Sequence, residues 1–386
     1  MKLVGYSALI AALAGLGACG SQNDTAQLTK SGLDPKNFES VINGDSTSLV
    51  TLTNASGMEV CITNYGGRIV SVMVPDKNGD FQDVVLGFDS VSAYTPEINK
   101  SDFGAAIGRY ANRINQGRFI LDGDTIQLPQ NNFGHCLHGG TDMGTLGWQY
   151  RVYKIENATD STLTISIDSP DGDNQFPGNV KAYVTYTLQN DNALKIDYSA
   201  TADKPTIINM TNHSYFNLSG DPELSVTDEM VWINASNFTP VDSTFMTTGE
   251  IIPVKDTPMD FTEEKLLGKD IESEYIQVKY GNGFDHNFVL DTKGDLSNCA
   301  ARVTDPRSGI VLELFTNEPG VQFYTGNFLD GTVTGKKSKI YNQRHGLCLE
   351  TQKYPDTPNK PQWPSATLRP GETYNSTCIY KFSTVK

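Results

Sequence analysis

Hydrophobic and polar residues alternate along most of the chain from residue 45 onward. In the clearest case, an alternating run over 180–188 is followed by Asn–Asp–Asn at 190–192 and by a second alternating run over 194–200. Alternation with a period of two places successive side chains on opposite faces of a β-strand, and Asn and Asp are typical of turns. The two runs therefore predict a β-hairpin.

Shorter runs repeat this pattern elsewhere in the chain. Residues 119–121 and 126–128 flank an Asp–Gly pair, and this arrangement predicts a second hairpin. Alternation over 163–167 and over 310–314 predicts two further strands.

Helical patterns are scarce, and each is short. Residues 262–272 and, more weakly, 89–100 are the segments that we expect to be helical. Strands do not alternate with helices, which argues against a parallel sheet, and no internal repeat indicates a propeller or a solenoid. We therefore predict an all-β fold in which 38–386 forms one large antiparallel sandwich, with two stacked β domains as the alternative.

The first residues have a different pattern. Lys2 precedes an apolar stretch that is shorter than the roughly 20 residues of a membrane-spanning helix and is typical of an export signal. The small residues before Cys19 resemble a bacterial lipobox, in which the cysteine is acylated. We expect a signal peptide over 1–18, then a lipidated Cys19 and a flexible tether over 19–37. Ordinary signal cleavage is the alternative.

The expected signal peptide and acylation site predict where the protein is located, and its net charge excludes some classes of partner. An acylated protein would be exported and anchored in a membrane, in the periplasm or at the cell surface. The chain has 30 Lys and Arg against 45 Asp and Glu, a net charge of −15. Such an acidic chain is unsuited to nucleic acids and to anionic membrane surfaces. Membrane contact is therefore expected only through the lipid anchor.

The histidines are the first candidates for chemistry, because imidazole titrates near neutral pH. His213 lies in a polar cluster that interrupts the strand pattern, where it is either an acid–base group or part of a hydrogen-bonded turn. His135 and His138 lie in a glycine-rich loop, where binding of a ligand hydroxyl is favoured over a metal site. No phosphate-binding loop, dinucleotide fingerprint or paired-cysteine motif occurs, so we expect no cofactor and no metal.

Carboxylates and arginines supply the other candidates. Glu350 follows an apolar run, and desolvation there would raise its pKa toward the range of a general base. A solvated surface charge is the alternative. Asp285 follows a glycine-rich turn. Arg109 and Arg113 flank three residues, and the residues alone do not decide which of the two arginines would contact a ligand. The residues support an acid–base site on a β scaffold.

Several segments taken together resemble the aldose 1-epimerase (galactose mutarotase) family. In chain order they are NYGGRIVSVMVPD at 64–76, DVVLGF at 83–88, GRYANRI at 108–114, LHGG at 137–140, SPDGDNQFPG at 169–178, TNHSYFNL at 211–218, GFDHNF at 283–288, VQFYTGN at 321–327 and LCLETQ at 347–352. The resemblance implies a galactose-mutarotase-like β-supersandwich of antiparallel strands with few short helices. It also implies interconversion of the α and β anomers of a free hexose such as glucose or galactose.

The same resemblance assigns roles to individual residues. It implies that Glu350 is the general base and His213 the general acid. The implied sugar-binding residues are Asn112, Arg113, His138, Asp285 and Gln322. It selects Arg113 over Arg109 and requires no cofactor or metal. A free monosaccharide is the expected partner, and the protein would be a monomer or a dimer. The alternatives are an epimerase acting on a different sugar and a non-catalytic carbohydrate-binding protein at the cell surface.

Overall fold

The computed structural model of the protein describes residues 27–141 and 146–385. The expected signal peptide over 1–18 and the expected acylation site at Cys19 lie outside the described residues. Within the described residues, no helix combines the length and the apolar character needed to cross a bilayer.

Nearly all regular structure in the described chain consists of strands. The first strands are β1 (Ser40–Ile42), β2 (Asp45–Thr47), β3 (Leu49–Thr53), β4 (Glu59–Thr63), β5 (Arg68–Pro75), β6 (Phe81–Asp83), β7 (Ala105–Ile107), β8 (Arg113–Ile114), β9 (Arg118–Leu121), β10 (Asp124–Gln127) and β11 (Cys136–Leu137). They are followed by β12 (Lys154–Ala158), β13 (Thr162–Ser169), β14 (Val180–Leu188), β15 (Ala193–Ala202), β16 (Thr206–Ile207), β17 (Thr211–His213), β18 (Met230–Ile233), β19 (Asn237–Thr239), β20 (Ile252–Pro253) and β21 (Lys265–Leu266). The last elements are α1 (Ile276–Gly281), β22 (Asp285–Val289), β23 (Ala301–Thr304), β24 (Ile310–Thr316), β25 (Gly320–Tyr324), β26 (Val333–Thr334), β27 (Ile340–Tyr341), β28 (Cys348–Gln352), β29 (Thr367–Leu368) and β30 (Tyr374–Thr384).

Three antiparallel sheets form the body of the molecule. The largest has nine strands in the order β12-β13-β14-β15-β30-β24-β23-β18-β21, and the others are β20-β19-β22-β25-β28 and β3-β4-β5-β6. Residues from all three sheets meet in one apolar cluster, for example Ile62, Ile196 and Phe323, all fully buried. Burial of each large apolar side chain stabilises the fold by about 1.5–3 kcal/mol, and this free energy holds the sheets together. The predicted all-β antiparallel fold is confirmed.

The predicted hairpins are confirmed as well. Strands β14 and β15 pair with Leu188 opposite Leu194, and β9 pairs with β10 around the Asp122–Gly123 turn. The runs at 163–167 and 310–314 lie within β13 and β24.

Both helix predictions are wrong. Residues 262–272 contain β21 and a 3-10 turn at Leu267–Lys269, and 89–100 contain a 3-10 turn at Ser92–Tyr94. Helices this short are marginal by themselves, so tertiary contacts decide the local structure. Here Leu266 pairs with Met230 of β18, and Leu267 is buried in the main core.

The expected flexible tether covers 19–37, but the last residues of that segment are folded against the rest of the protein. Leu33 is buried in an apolar cluster that includes Phe38 and Tyr65. The backbone N–H of Lys30 donates to the Glu59 carboxylate at 2.7 Å. The chain is therefore packed against the sheets from about residue 30, because Leu33 supplies apolar area that a free tether would leave in water.

Candidate active site

A row of polar side chains crosses the five-stranded sheet on a buried face. In register, Gln322 of β25 lies opposite Glu350 of β28 on one side and opposite Asn287 of β22 on the other. Because side chains alternate between the two faces of a strand, their apolar neighbours, such as Phe323 and Leu349, point into the core instead. The alternation therefore places the candidate carboxylate on a face that is buried and polar.

His213 joins this row from β17. Its Nε2 atom lies 3.6 Å from Oε1 of Glu350, and both side chains are buried. The imidazole stacks on the ring of Tyr215 with a centroid distance of 5.1 Å, and its Nδ1 atom lies 3.5 Å from the Cys348 sulfur. Contacts on one face and at both nitrogens fix the orientation of the ring. The two expected acid–base residues therefore face each other within reach of one small ligand.

Burial tunes the Glu350 carboxylate. It raises the pKa of Glu350 to about 7, and the nearby Asp285 adds to this shift while the charge of His213 opposes it. Of the two alternatives for Glu350, the structure therefore supports the desolvated carboxylate over the solvated surface charge. Its Oε2 atom has no hydrogen-bond donor in the described part of the chain. A carboxylate with a pKa near neutrality and a free oxygen is suited to accept a proton from a ligand.

Asp285 and Gln322 form a hydrogen-bonded pair next to Glu350. Nε2 of Gln322 donates to Oδ1 of Asp285 at 2.6 Å, and Oε1 of Gln322 accepts from Gln352 at 3.2 Å. Burial raises the pKa of Asp285, while the charge of Arg113 and the Gln322 hydrogen bond lower it. Both side chains are held in place by the sheet and can present their remaining polar atoms to a ligand.

Two hydrogen bonds join Asn112 and His138, one of them to the imidazole ring. The Asn112 N–H donates to Nδ1 of His138 at 3.2 Å, and the His138 N–H donates to the Asn112 carbonyl at 3.1 Å. Burial lowers the pKa of His138 well below its usual value, with the charges of His213 and Arg113 acting in the same direction. The ring is therefore neutral, and because Nδ1 accepts a hydrogen bond, the proton lies on Nε2.

Arg113 lies beside the carboxylates of the site. Its Nε donates to Asn132 at 3.1 Å, and its guanidinium covers the Phe245 ring at 5.0 Å. Burial lowers the pKa of Arg113, while Asp285 and then Glu350 favour its charged form. All the residues that the resemblance selected are thus brought to one place.

Two other candidates, Arg109 and His135, make hydrogen bonds to the surrounding framework. Arg109 is buried and donates to the carbonyls of a neighbouring loop, including Pro177 at 2.8 Å. Nδ1 of His135 accepts from the Gln116 N–H, and its Nε2 contacts the Thr244 hydroxyl at 2.8 Å. The structure thus separates Arg109 from Arg113, which the residues alone could not do.

Two groups near His213 were missed by the sequence reasoning. Cys348 shares the face of Glu350, and the two-residue alternation of β28 could have placed it there. Asp102 lies in a loop without any periodic pattern, and no signal in the sequence pointed to it. One oxygen of Asp102 and one ring nitrogen of each of His138 and His213 lie within 4.8 Å of one another.

These groups belong to two sets of potential metal ligands in the described part of the chain. One set comprises Asp102, His138 and His213, and the other comprises His213, Cys348 and Glu350. The Nε2 atom of His138 carries a proton, and burial raises the pKa of Cys348 well above that of a free thiol. A metal would have to displace these protons on binding, whereas a hydrogen-bonding ligand would leave them in place.

Comparison with known sequences identifies relatives over most of the chain. The family model for aldose 1-epimerase matches residues 48–381. The galactose mutarotase of Rattus norvegicus is 43% identical over 327 residues, which cover 84% of this chain and 91% of the relative. The aldose 1-epimerase of Escherichia coli K12 is 38% identical over 341 residues, which cover 88% of this chain and 96% of the relative.

Solved structures agree with the sequence comparison. An aldose epimerase homologue from C. elegans has a TM-score of 0.80 at 32% identity, with 88% of this chain and 100% of that chain covered. The galactose 1-epimerase of Lactobacillus acidophilus has a TM-score of 0.78 at 29% identity, with 90% of this chain and 97% of that chain covered. The expected galactose-mutarotase-like fold is therefore confirmed.

Proposed function

The chain belongs to the aldose 1-epimerase family and is an aldose 1-epimerase, and we propose that Glu350 and His213 interconvert the anomers of free glucose and galactose. The observation that carries this proposal is the 3.6 Å separation of Glu350 Oε1 and His213 Nε2 in a buried site. The anomeric O1 and the ring oxygen O5 of a pyranose are both bonded to C1. An acid and a base that act on them must lie this close together.

The reaction begins with opening of the ring. Glu350, as the carboxylate, removes the proton from the O1 hydroxyl while His213, as the imidazolium, donates a proton to O5. The C1–O5 bond breaks with its electron pair passing to O5, and C1 becomes an aldehyde. Rotation about C1–C2 presents the other face of the carbonyl. Closure returns one proton to O1 from Glu350 and one proton from the O5 hydroxyl to His213. These proton transfers need no cofactor.

The surrounding polar groups would bind and orient the sugar. Asp285 accepts hydrogen bonds from hydroxyls, and Arg113 and the protonated Nε2 of His138 donate them. Gln322 and Asn112 complete the set with side-chain amides that both donate and accept. Asp285 and Gln322 lie in the sheet, and Asn112 and His138 are joined by two hydrogen bonds. This rigidity favours one orientation of the ring, which is the main requirement for proximity catalysis.

Polarimetry on freshly dissolved α-D-glucose and α-D-galactose tests the activity directly. The wild-type protein should accelerate the approach to anomeric equilibrium with both sugars. His213→Asn should lower kcat by about 10²–10⁴-fold, because a positioned acid typically contributes that much. Asp168→Asn, an exposed carboxylate in β13, is the matched control and should retain full activity. Near-normal turnover by His213→Asn would contradict its role as the acid.

We further propose that the protein is an exported lipoprotein held at a membrane through Cys19. The support is the short apolar stretch and the small residues before Cys19. Acyl chains contribute about 0.8 kcal/mol of membrane affinity per buried CH₂ group. Cys19→Ala should move the full-length protein from the membrane fraction to the soluble fraction, whereas Cys299→Ala should not. Unchanged membrane retention of Cys19→Ala would contradict the proposal.

A further inference from the structure

Asp102 carries a buried oxygen with an unused hydrogen-bonding capacity beside the active site. Within the described residues, no donor reaches its Oδ1 atom, although that atom is buried. An oxygen of Asp102 lies within 4.8 Å of a ring nitrogen of His138 and of His213. Leaving a buried acceptor unpaired costs about 1–3 kcal/mol, and more for a charged group. A ligand that supplies a donor at this point would remove that cost.

The loop that carries Asp102 is fixed relative to His213. The buried Arg68 donates from Nη1 to the carbonyls of the two residues that flank Asp102, at 3.1 and 2.9 Å. Immediately after the loop, the Gly104 N–H donates to the His213 carbonyl at 3.0 Å. The Asp102 carboxylate is thus held at a constant position beside the acid of the site, as a preorganised binding group must be.

A carboxylate oxygen of Asp102 and a ring nitrogen of His138 lie at most 4.8 Å apart, and this spacing accommodates one oxygen atom between them. An oxygen that makes hydrogen bonds of about 2.8 Å in tetrahedral directions separates its partners by about 4.6 Å. Nε2 of His138 is a donor because Nδ1 already accepts from Asn112. An ionised Asp102 is an acceptor only. The bound oxygen must therefore accept from His138 and donate to Asp102, and a hydroxyl meets both requirements.

The position of this hydroxyl follows from the proposed mechanism. His213 belongs both to the cluster with Asp102 and His138 and to the cluster with Cys348 and Glu350. Glu350 takes O1, on C1, and His213 takes the ring oxygen O5. The other ring neighbour of O5 is C5, which in an aldohexose carries the C6 hydroxymethyl group. A sugar bound with O5 at His213 can therefore reach Asp102 with its C6 hydroxyl.

We propose that Asp102, together with His138, binds the C6 hydroxyl of the hexose and makes the enzyme selective for sugars with a free hydroxyl at C6. This inference rests on the proposed function. A 6-deoxy sugar or a pentopyranose lacks the hydroxyl and leaves the Asp102 oxygen unpaired. A hexose 6-phosphate brings negative charge against the carboxylate. A hydrogen bond to a charged group of this kind is expected to change kcat/KM by about 10- to 100-fold.

The test compares D-glucose with 6-deoxy-D-glucose on three proteins. Wild type should favour D-glucose in kcat/KM by about 10- to 100-fold. Asp102→Ala should lower kcat/KM for D-glucose and leave the value for 6-deoxy-D-glucose within a few fold, so that most of the preference is lost. Glu97→Ala removes an exposed carboxylate from the same loop and should keep the wild-type ratio. If Asp102→Ala does not fold, Asp102→Asn should show a reduced preference, because a neutral acceptor replaces a charged one.

Two results would overturn the inference. An equal loss of kcat/KM for both sugars in the Asp102 variant would mean that Asp102 acts through His213 or through the fold, and it would overturn the inference. A wild-type enzyme that does not distinguish the two sugars would overturn it as well. Failure of the proposed function appears separately, as the inability of the wild-type protein to interconvert the anomers of D-glucose.

Discussion

The nine-stranded and the five-stranded sheets bury their side chains in different ways. In β14, buried apolar residues alternate with half-buried or exposed ones, so one face meets the core and the other meets solvent. In β25 and β28 every residue is buried, and the alternation is between apolar and polar side chains. The first sheet is organised for stability, whereas the second places polar groups where water is largely excluded.

This difference shows where stability is sacrificed for chemistry. Oε2 of Glu350, Nδ2 of Asn287 and Oε1 of Gln352 are all buried without partners in the described part of the chain. Buried polar groups without partners destabilise a fold, and a ligand that supplies partners removes that cost. The apolar core between the sheets supports this arrangement. We therefore expect substitutions in the two sheets to separate catalysis from stability.

The largest expected effect is on catalysis in the five-stranded sheet. Glu350→Gln should lower kcat by about 10²–10⁴-fold with the fold retained, because the amide cannot accept the O1 proton. Glu313→Gln in β24 is the matched control. Its carboxylate pairs with Arg302 at 2.8 Å on the edge of the core, so kcat should not change. Polarimetry gives both values, and near-normal turnover by Glu350→Gln would show that the base lies elsewhere.

A substitution in the nine-stranded sheet should have the reverse profile. Ile196 of β15 is fully buried, and Ile196→Ala should lower the free energy of unfolding by about 2–5 kcal/mol. Urea unfolding measures this loss. The folded variant should keep a kcat close to that of wild type, because its site groups lie on other strands. A loss of kcat comparable to that of Glu350→Gln would erase the distinction between the sheets.

The pH dependence sharpens the comparison. The pKa of Glu350 is raised to about 7 by burial, and only the deprotonated carboxylate can act as the base. The kcat/KM value should therefore fall about tenfold per pH unit as the pH drops below 7. Above pH 7 the Glu350 carboxylate is deprotonated, and its titration causes no further change. Rates measured from pH 5 to pH 8 test this expectation. A rate that stays constant down to pH 5 would mean that the carboxylate is not desolvated.

A pH-dependent effect is also expected on stability, and its sign is opposite to that of the activity loss. Because folding raises the pKa of Glu350 from 4.5 to about 7, the folded state binds this proton more tightly than the unfolded state. The contribution of Glu350 to stability is full below pH 4.5 and is lost as the pH rises through 7. Glutamine does not ionise, so the Glu350→Gln variant lacks this loss of stability at high pH. Its melting temperature relative to wild type should be higher at pH 8 than at pH 4, and an equal difference at both pH values would contradict the assignment.

Local patterns were sufficient for much of the fold. The alternation in 180–188 and 194–200 predicted β14 and β15, because the two-residue period depends only on which side chains prefer the core. The apolar run before Glu350 left two alternatives, a desolvated carboxylate and a solvated surface charge, and burial in the structure selects the first. The family resemblance supplied the candidate site residues.

Other features depended on residues far apart in the chain. The segment 262–272 has a helical pattern, but pairing of β21 with β18 overrides it. Arg109 and Arg113 are equivalent by sequence, and only the packing of distant loops places one in the structural framework and the other in the site.

The amino-acid sequence by itself thus predicted the hairpins β9–β10 and β14–β15, the strands β13 and β24 and the class of fold, since these follow from short-range periodicity. The tertiary structure alone decided that Asp102 lies beside His213. That proximity is produced by the pairing of β7 with β17 and by Arg68 holding the intervening loop, and no local pattern records such long-range contacts.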